Sequence, residues 1–120
     1  MSGSQKVVVL ALSMVAFFAT SASADDRKAA RSQVDFGISV AQQGLWREAV
    51  YRWEKAVELD PTYAAAYNNL AIAYEAQGNF AKAKDAYEKA LELKPKDAFI
   101  RQNYELYKEI NDRANRPDSR

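Results

Sequence analysis

An all-α fold, a short helical solenoid of two helix–turn–helix repeats closed by a capping helix, is what this sequence predicts, on three observations. First, residues 30–63 and 64–97 are two copies of one unit. Gln43-Gly44-Leu45-Trp46 aligns with Gln77-Gly78-Asn79-Phe80, and Glu54-Lys55-Ala56-Val57-Glu58-Leu59-Asp60-Pro61 with Glu88-Lys89-Ala90-Leu91-Glu92-Leu93-Lys94-Pro95. A period of about 34 residues is that of arrays whose units cannot bury their apolar faces alone and must stack. Second, the apolar spacing downstream of residue 24 is helical throughout. Third, Gly44 and Gly78 interrupt each copy midway and Pro61 and Pro95 close it, where helices leave through a left-handed residue or stop.

The elements follow in order. Residues 1–24 have the build of a secretory signal: Lys6 is the positive n-region, Val7 to Phe18 the apolar run, and Ala22-Ser23-Ala24 the small-residue cleavage pattern. The apolar run is shorter than the roughly 20 residues needed to cross hydrocarbon, so the expectation is an exported chain, periplasmic or secreted. It would be membrane-associated only if the leader is retained. Residues 25–29 lead into the first helix, with Asp25-Asp26 suited to its positively polarised end. Val34, Ile38 and Ala41 carry helical spacing to Gln43. A second helix runs from Trp46 to Leu59, burying Ala49, Val50, Trp53, Ala56 and Val57.

The cycle repeats with a helix from Tyr63 or Ala64 to Gln77 and another from Phe80 to Leu93. Glu48/Arg52 and Asp85/Lys89 are spaced for ion pairs on the outer faces, each contributing tenths of a kcal/mol. A fifth helix, residues 98–113, is expected to cap the stack with a stripe of Phe99, Ile100, Asn103, Tyr104, Tyr107 and Ile110. Residues 114–120 form a polar, frayed tail.

Composition narrows the function. The chain has 120 residues with 17 basic and 16 acidic side chains; without residues 1–24 it has 96, with 16 of each sign. A neutral chain without a basic block offers no electrostatic reason to bind nucleic acid. There is no His and no Cys. The commonest general base, the thiolate nucleophile and the usual zinc ligands are therefore absent. Ser32 and Ser39 lack a histidine to activate them. No Gly-rich phosphate loop or calcium loop surrounds the remaining carboxylates. The expectation is no enzyme, no cofactor and no metal.

The residues that define the repeat also carry a family resemblance. Tyr67, Leu70, Ala71, Tyr74, Gly78, Ala83, Tyr87, Ala90 and Pro95 resemble the tetratricopeptide repeat signature, and Gly37, Gly44, Ala49, Trp53, Ala56 and Pro61 repeat much of it. The first copy departs from it at Gln33, Phe36 and Val40, on a helix with no preceding repeat to pack against. The resemblance implies that the first helix of each unit lines a concave groove for an extended peptide or a helix of a protein partner. The positions that match are Val34, Ile38, Ala41 and Gln42, then Asn68, Ile72, Glu75 and Ala76, then Gln102, Leu106 and Glu109 from the cap. Val34, Ile38, Ile72 and Leu106 would form an apolar strip there. Some relatives clamp a terminal carboxylate with lysines, asparagines and an arginine. Here Val34, Ile38, Phe99 and Asn103 hold four of those five places and only Asn69 agrees, so no clamp is expected. The function this implies is an exported interaction module. The alternative is a self-associating or membrane-tethered structural subunit of an envelope assembly.

Overall fold

In the computed structural model, which describes residues 21–119, the chain runs through five α-helices in series. They are α1 (Ala24–Gln42), α2 (Trp46–Leu59), α3 (Ala64–Ala76), α4 (Phe80–Leu93) and α5 (Ala98–Ala114), followed by a 3-10 turn at Pro117–Ser119. The described residues contain no strand. Residues 1–20, most of the predicted leader, lie outside them. The start of α1 differs slightly from expectation: Ser23, not Asp25 or Asp26, is its cap. Ser23 Oγ accepts from the Asp26 amide at 3.0 Å, and the Asp26 carboxylate accepts from the Ser23 amide at 3.3 Å. This reciprocal pair satisfies amides that the helix itself leaves without partners.

Both midpoint breaks have one geometry. Gly44 and Gly78 take φ of 77° and 74°. The amides of Gly44 and Leu45 return to the carbonyls of Ala41 and Val40, and those of Gly78 and Asn79 to Glu75 and Tyr74, at 2.8–3.1 Å. This double return is the Schellman closure, for which a residue without Cβ is suited. Ahead of Pro61, Asp60 is extended and buried, and its carboxylate accepts from the Thr62 amide at 3.0 Å and hydroxyl at 2.7 Å.

Helix α1 packs on α2 and α3 on α4 to form the two hairpins, α2 on α3 joins them, and α4 on α5 closes the stack. Small residues make the close approaches: Ala30, Ala49, Ala56, Ala66, Ala71, Ala73, Ala83 and Ala90 have no exposed surface. Trp53 fills the first hairpin, donating its indole N–H to the Val34 carbonyl at 3.1 Å. Tyr87 fills the second at 1% exposure. Under the cap, the rings of Tyr87, Tyr104 and Tyr107 lie 5.5–6.0 Å apart, and the Tyr107 hydroxyl donates to the Phe80 carbonyl at 2.7 Å.

Three tyrosine–glutamate hydrogen bonds cross successive helix interfaces. Tyr74 donates to Glu54 (α3 to α2, 3.2 Å), Tyr87 to Glu75 (α4 to α3, 2.5 Å) and Tyr104 to Glu88 (α5 to α4, 3.0 Å). Burial, reinforced by the glutamate beside each, pushes the Tyr74 and Tyr104 hydroxyls up to about 12 and raises Tyr87 as well. A raised folded-state value means these bonds contribute fully below the ordinary tyrosine value of 10.0. Their contribution falls as pH climbs through about 12. Stability is therefore expected to drop between pH 10 and 12, with phenolate absorbance and helical circular dichroism changing together. Phenolate formation complete near pH 10 with the helices intact would contradict this.

Of the two predicted outer-face pairs, Arg52–Glu48 forms at 2.9 Å, whereas Asp85–Lys89 does not; Lys89 turns to Glu92 at 3.3 Å. Both sites are partly solvated, and such pairs exchange partners at little cost.

Candidate functional site

Two adjoining cavities lie along α1 and α3. The first, about 260 Å³, is lined by Ile38, Ala41, Gln42, Trp46, Trp53, Asn69 and Ile72. The second, about 300 Å³, lies toward the start of α5 and is lined by Val34, Asp35, Ile38, Tyr63, Ala65, Asn68, Asn69, Lys94, Asp97, Phe99 and Ile100. Ile38 and Asn69 line both, so the cavities form one groove with those two side chains at the waist.

Helical geometry explains the lining. On α1, Val34, Ile38 and Ala41 follow one another along one side at four- and three-residue spacing, with Gln42 beyond Ile38. Across from them, Asn69 and Ile72 bear the same relation on α3. Ile38 is 40% exposed although apolar.

The predicted residues fall into three groups. Ile38, Ala41, Gln42 and Ile72 come together in the first cavity. Val34 and Asn68 line the second cavity but, like Glu75, are also committed to the fold. Val34 is 3% exposed and belongs to the core, so it is not part of an exposed strip. Its carbonyl receives Trp53, whose indole draws that stretch of α1 inward. Asn68 is buried and accepts from the Asn103 carboxamide at 3.2 Å, tying α3 to α5. Glu75 accepts the Tyr87 hydroxyl. The third group is Leu106, which lies apart on α5 beside Gln102, Glu105, Lys108, Glu109 and Asp112, in neither groove cavity.

Ten lining residues are not among the predicted ones, Asp35, Trp46, Lys94 and Phe99 among them. The spacing of α5 predicts Phe99 in the covered stripe of the cap, yet it is 67% exposed and Ile110 is 49% exposed. The helix turns about 100° per residue, so anchoring α5 through Ile100 and Tyr107 rotates Phe99, Leu106 and Ile110 onto a neighbouring stripe. Which stripe faces the stack is set by the tyrosine cluster, and the apolar pattern of α5 alone admits either. Trp46 begins α2. Its indole N–H has no hydrogen-bond partner among the described residues, and neither have the carboxamides of Asn69 and Gln42. The groove thus combines apolar walls with unused donors and acceptors that can meet a peptide backbone.

Comparison with known proteins agrees with this architecture. Residues 64–97 match the family model described as "Tetratricopeptide repeat", and residues 39–78 match one described as "TPR repeat". Over residues 39–97 the chain is therefore similar to tetratricopeptide repeats. Among solved structures it is similar to one described as "Arabidopsis OM64 TPR domain", with a TM-score of 0.68 and 22% sequence identity over 73% of each chain. At that identity the likeness shows the fold. No curated protein matches the sequence.

Proposed function

We propose that this protein is an interaction module, not an enzyme, and that it holds an extended segment or a helix of another protein in the groove between α1 and α3. The single observation that carries this reading is the pair of adjoining cavities meeting at Ile38 and Asn69. Half-exposed apolar walls lined by unused hydrogen-bonding groups are what a peptide ligand needs, and a packed domain has no use for them. Export of the chain, with residues 1–24 as a cleaved signal, is part of the proposal and rests on the leader's sequence alone. None of the described helices is long and apolar enough to cross a membrane.

The test is affinity capture from the cell that makes the protein, followed by titration of each captured partner. Ile38→Asp/Ile72→Asp places two charges at the apolar walls and is expected to weaken binding by at least about tenfold, since burying an unpaired charge costs several kcal/mol. Equal affinity of wild type and double variant would remove the groove from the account. The leader is tested by the N-terminal sequence of the exported protein, expected to begin at Asp25, a cut that removes the Ser23 cap from α1.

A second reading, self-association, is favoured by the N-terminal end of the stack. Phe36 and Tyr51 are each about half exposed there, with the Arg52 guanidinium 4.3 Å from the Phe36 ring centre. In the second repeat the face corresponding to Phe36 holds Leu70, which is buried. A mass that rises with concentration, and that reverts to the monomer's in Phe36→Lys, would support assembly through this end.

A further inference from the structure

We propose that the groove, if it binds as argued above, selects an internal extended stretch of its partner that carries a bulky apolar residue and, two positions away, a lysine or arginine. The distribution of charge along the groove leads to this motif. The cavity under Trp46 is lined by no ionisable side chain, so a charged group entering it loses hydration uncompensated, whereas an apolar group meets the walls of Ile38, Ala41 and Ile72. The adjoining cavity holds all the charge: Asp35, Lys94 and Asp97. Asp97 is engaged as the cap of α5, accepting from the Ile100 amide at 3.0 Å. Asp35 is exposed and makes no ion pair. It precedes Ile38 by three residues on α1, a separation of about 5–6 Å between Cβ atoms. In an extended chain, side chains two residues apart point the same way about 6.6 Å from each other. A segment whose apolar side chain lies over Ile38 in the uncharged cavity therefore brings its second neighbour to Asp35.

The opposite wall disfavours a chain terminus. Lys94 is the one cation lining either cavity, and the two carboxylates Asp35 and Asp97 share its cavity. A C-terminal carboxylate placed there would gain one attraction against two repulsions.

Panning a displayed library of random peptides on three forms of the full chain tests the motif: wild type, Asp35→Lys and Ile72→Asp. Asp35 is exposed, so its reversal leaves the fold unchanged. Wild-type binders are expected to share an internal bulky apolar residue two positions from Lys or Arg. The Asp35→Lys protein should select Asp or Glu at that position and bind a synthetic wild-type peptide roughly five- to tenfold more weakly. The Ile72→Asp protein should retain none of the wild-type binders. Binders that Ile72→Asp loses but that carry no basic residue, that end in a free carboxylate, or that Asp35→Lys leaves unaffected would overturn the motif while the groove stands. Binders shared by all three proteins, or no binders at all, would overturn the groove with it.

Discussion

Tyr87→Ala is expected to cost about 3–5 kcal/mol of unfolding free energy, the range for truncating a buried aromatic. Tyr87 is the one large side chain among the described residues with less than 2% of its surface exposed. It sits where α3, α4 and α5 meet, with ring centres of Tyr104 and Tyr107 at 5.7 and 5.5 Å and its hydroxyl on Glu75. Its removal empties the second hairpin and undermines the cap. Tyr87→Phe keeps the ring and should cost less, about 1.5–3 kcal/mol, the net worth of one hydrogen bond to a charged group. Urea unfolding followed by circular dichroism measures both. Equal costs for the two variants would place the hydroxyl, not the ring, at the centre of stability.

Gly37→Ala is the second large effect, and the repeat itself supplies its control. A Cβ on Gly37 would lie 2.7 Å from Trp53 Cδ1 and 2.8 Å from Cε2, and closer still to Nε1. Trp53 is buried and anchored to the Val34 carbonyl, so it cannot swing away cheaply. Alanine favours a helix over glycine by about 1 kcal/mol. Overpacking by the added methyl, about 1–3 kcal/mol, opposes and is expected to outweigh that gain. In the second repeat the same two places are Ala71 and Tyr87, a larger residue facing a smaller ring. The double change Gly37→Ala/Trp53→Tyr should therefore be more stable than Gly37→Ala alone, a coupling that a double-mutant cycle reads directly. A Gly37→Ala protein at least as stable as wild type would show that α1 and α2 separate freely.

These two positions also mark how much was legible in the sequence. The helix ends were, because Gly44, Gly78, Pro61 and Pro95 act locally: each forbids or permits a backbone angle whatever the tertiary context. The interior spacing of Ala49, Ala56, Ala83 and Ala90 was legible because repetition doubles the signal. What lay beyond reach was how far each helix rotates about its own axis. Val34 and Ile38 are equally apolar and four residues apart, yet the indole of Trp53 draws one inward and leaves the other at the groove. Glu75 reads as a solvated groove residue until Tyr87 is seen to reach across from α4. Phe99 reads as core until the tyrosines of α5 fix that helix's facing. Asp35 and Lys94 become neighbours of one cavity only when α1 and the α4–α5 connection are brought together in space.

The most direct test of the groove is an NMR titration of the isotope-labelled protein with a captured partner or a panned peptide. Its two indole signals belong to Trp46 and Trp53, the first with its N–H unused and the second bonded to Val34. Binding in the groove is expected to shift the Trp46 indole and the Asn69 and Gln42 carboxamides, together with the Ile38 and Ile72 methyls, while Tyr51 and the outer face of α4 stay in place. Shifts confined to Phe36, Tyr51 and that outer face, with Trp46 and Asn69 unmoved, would contradict it.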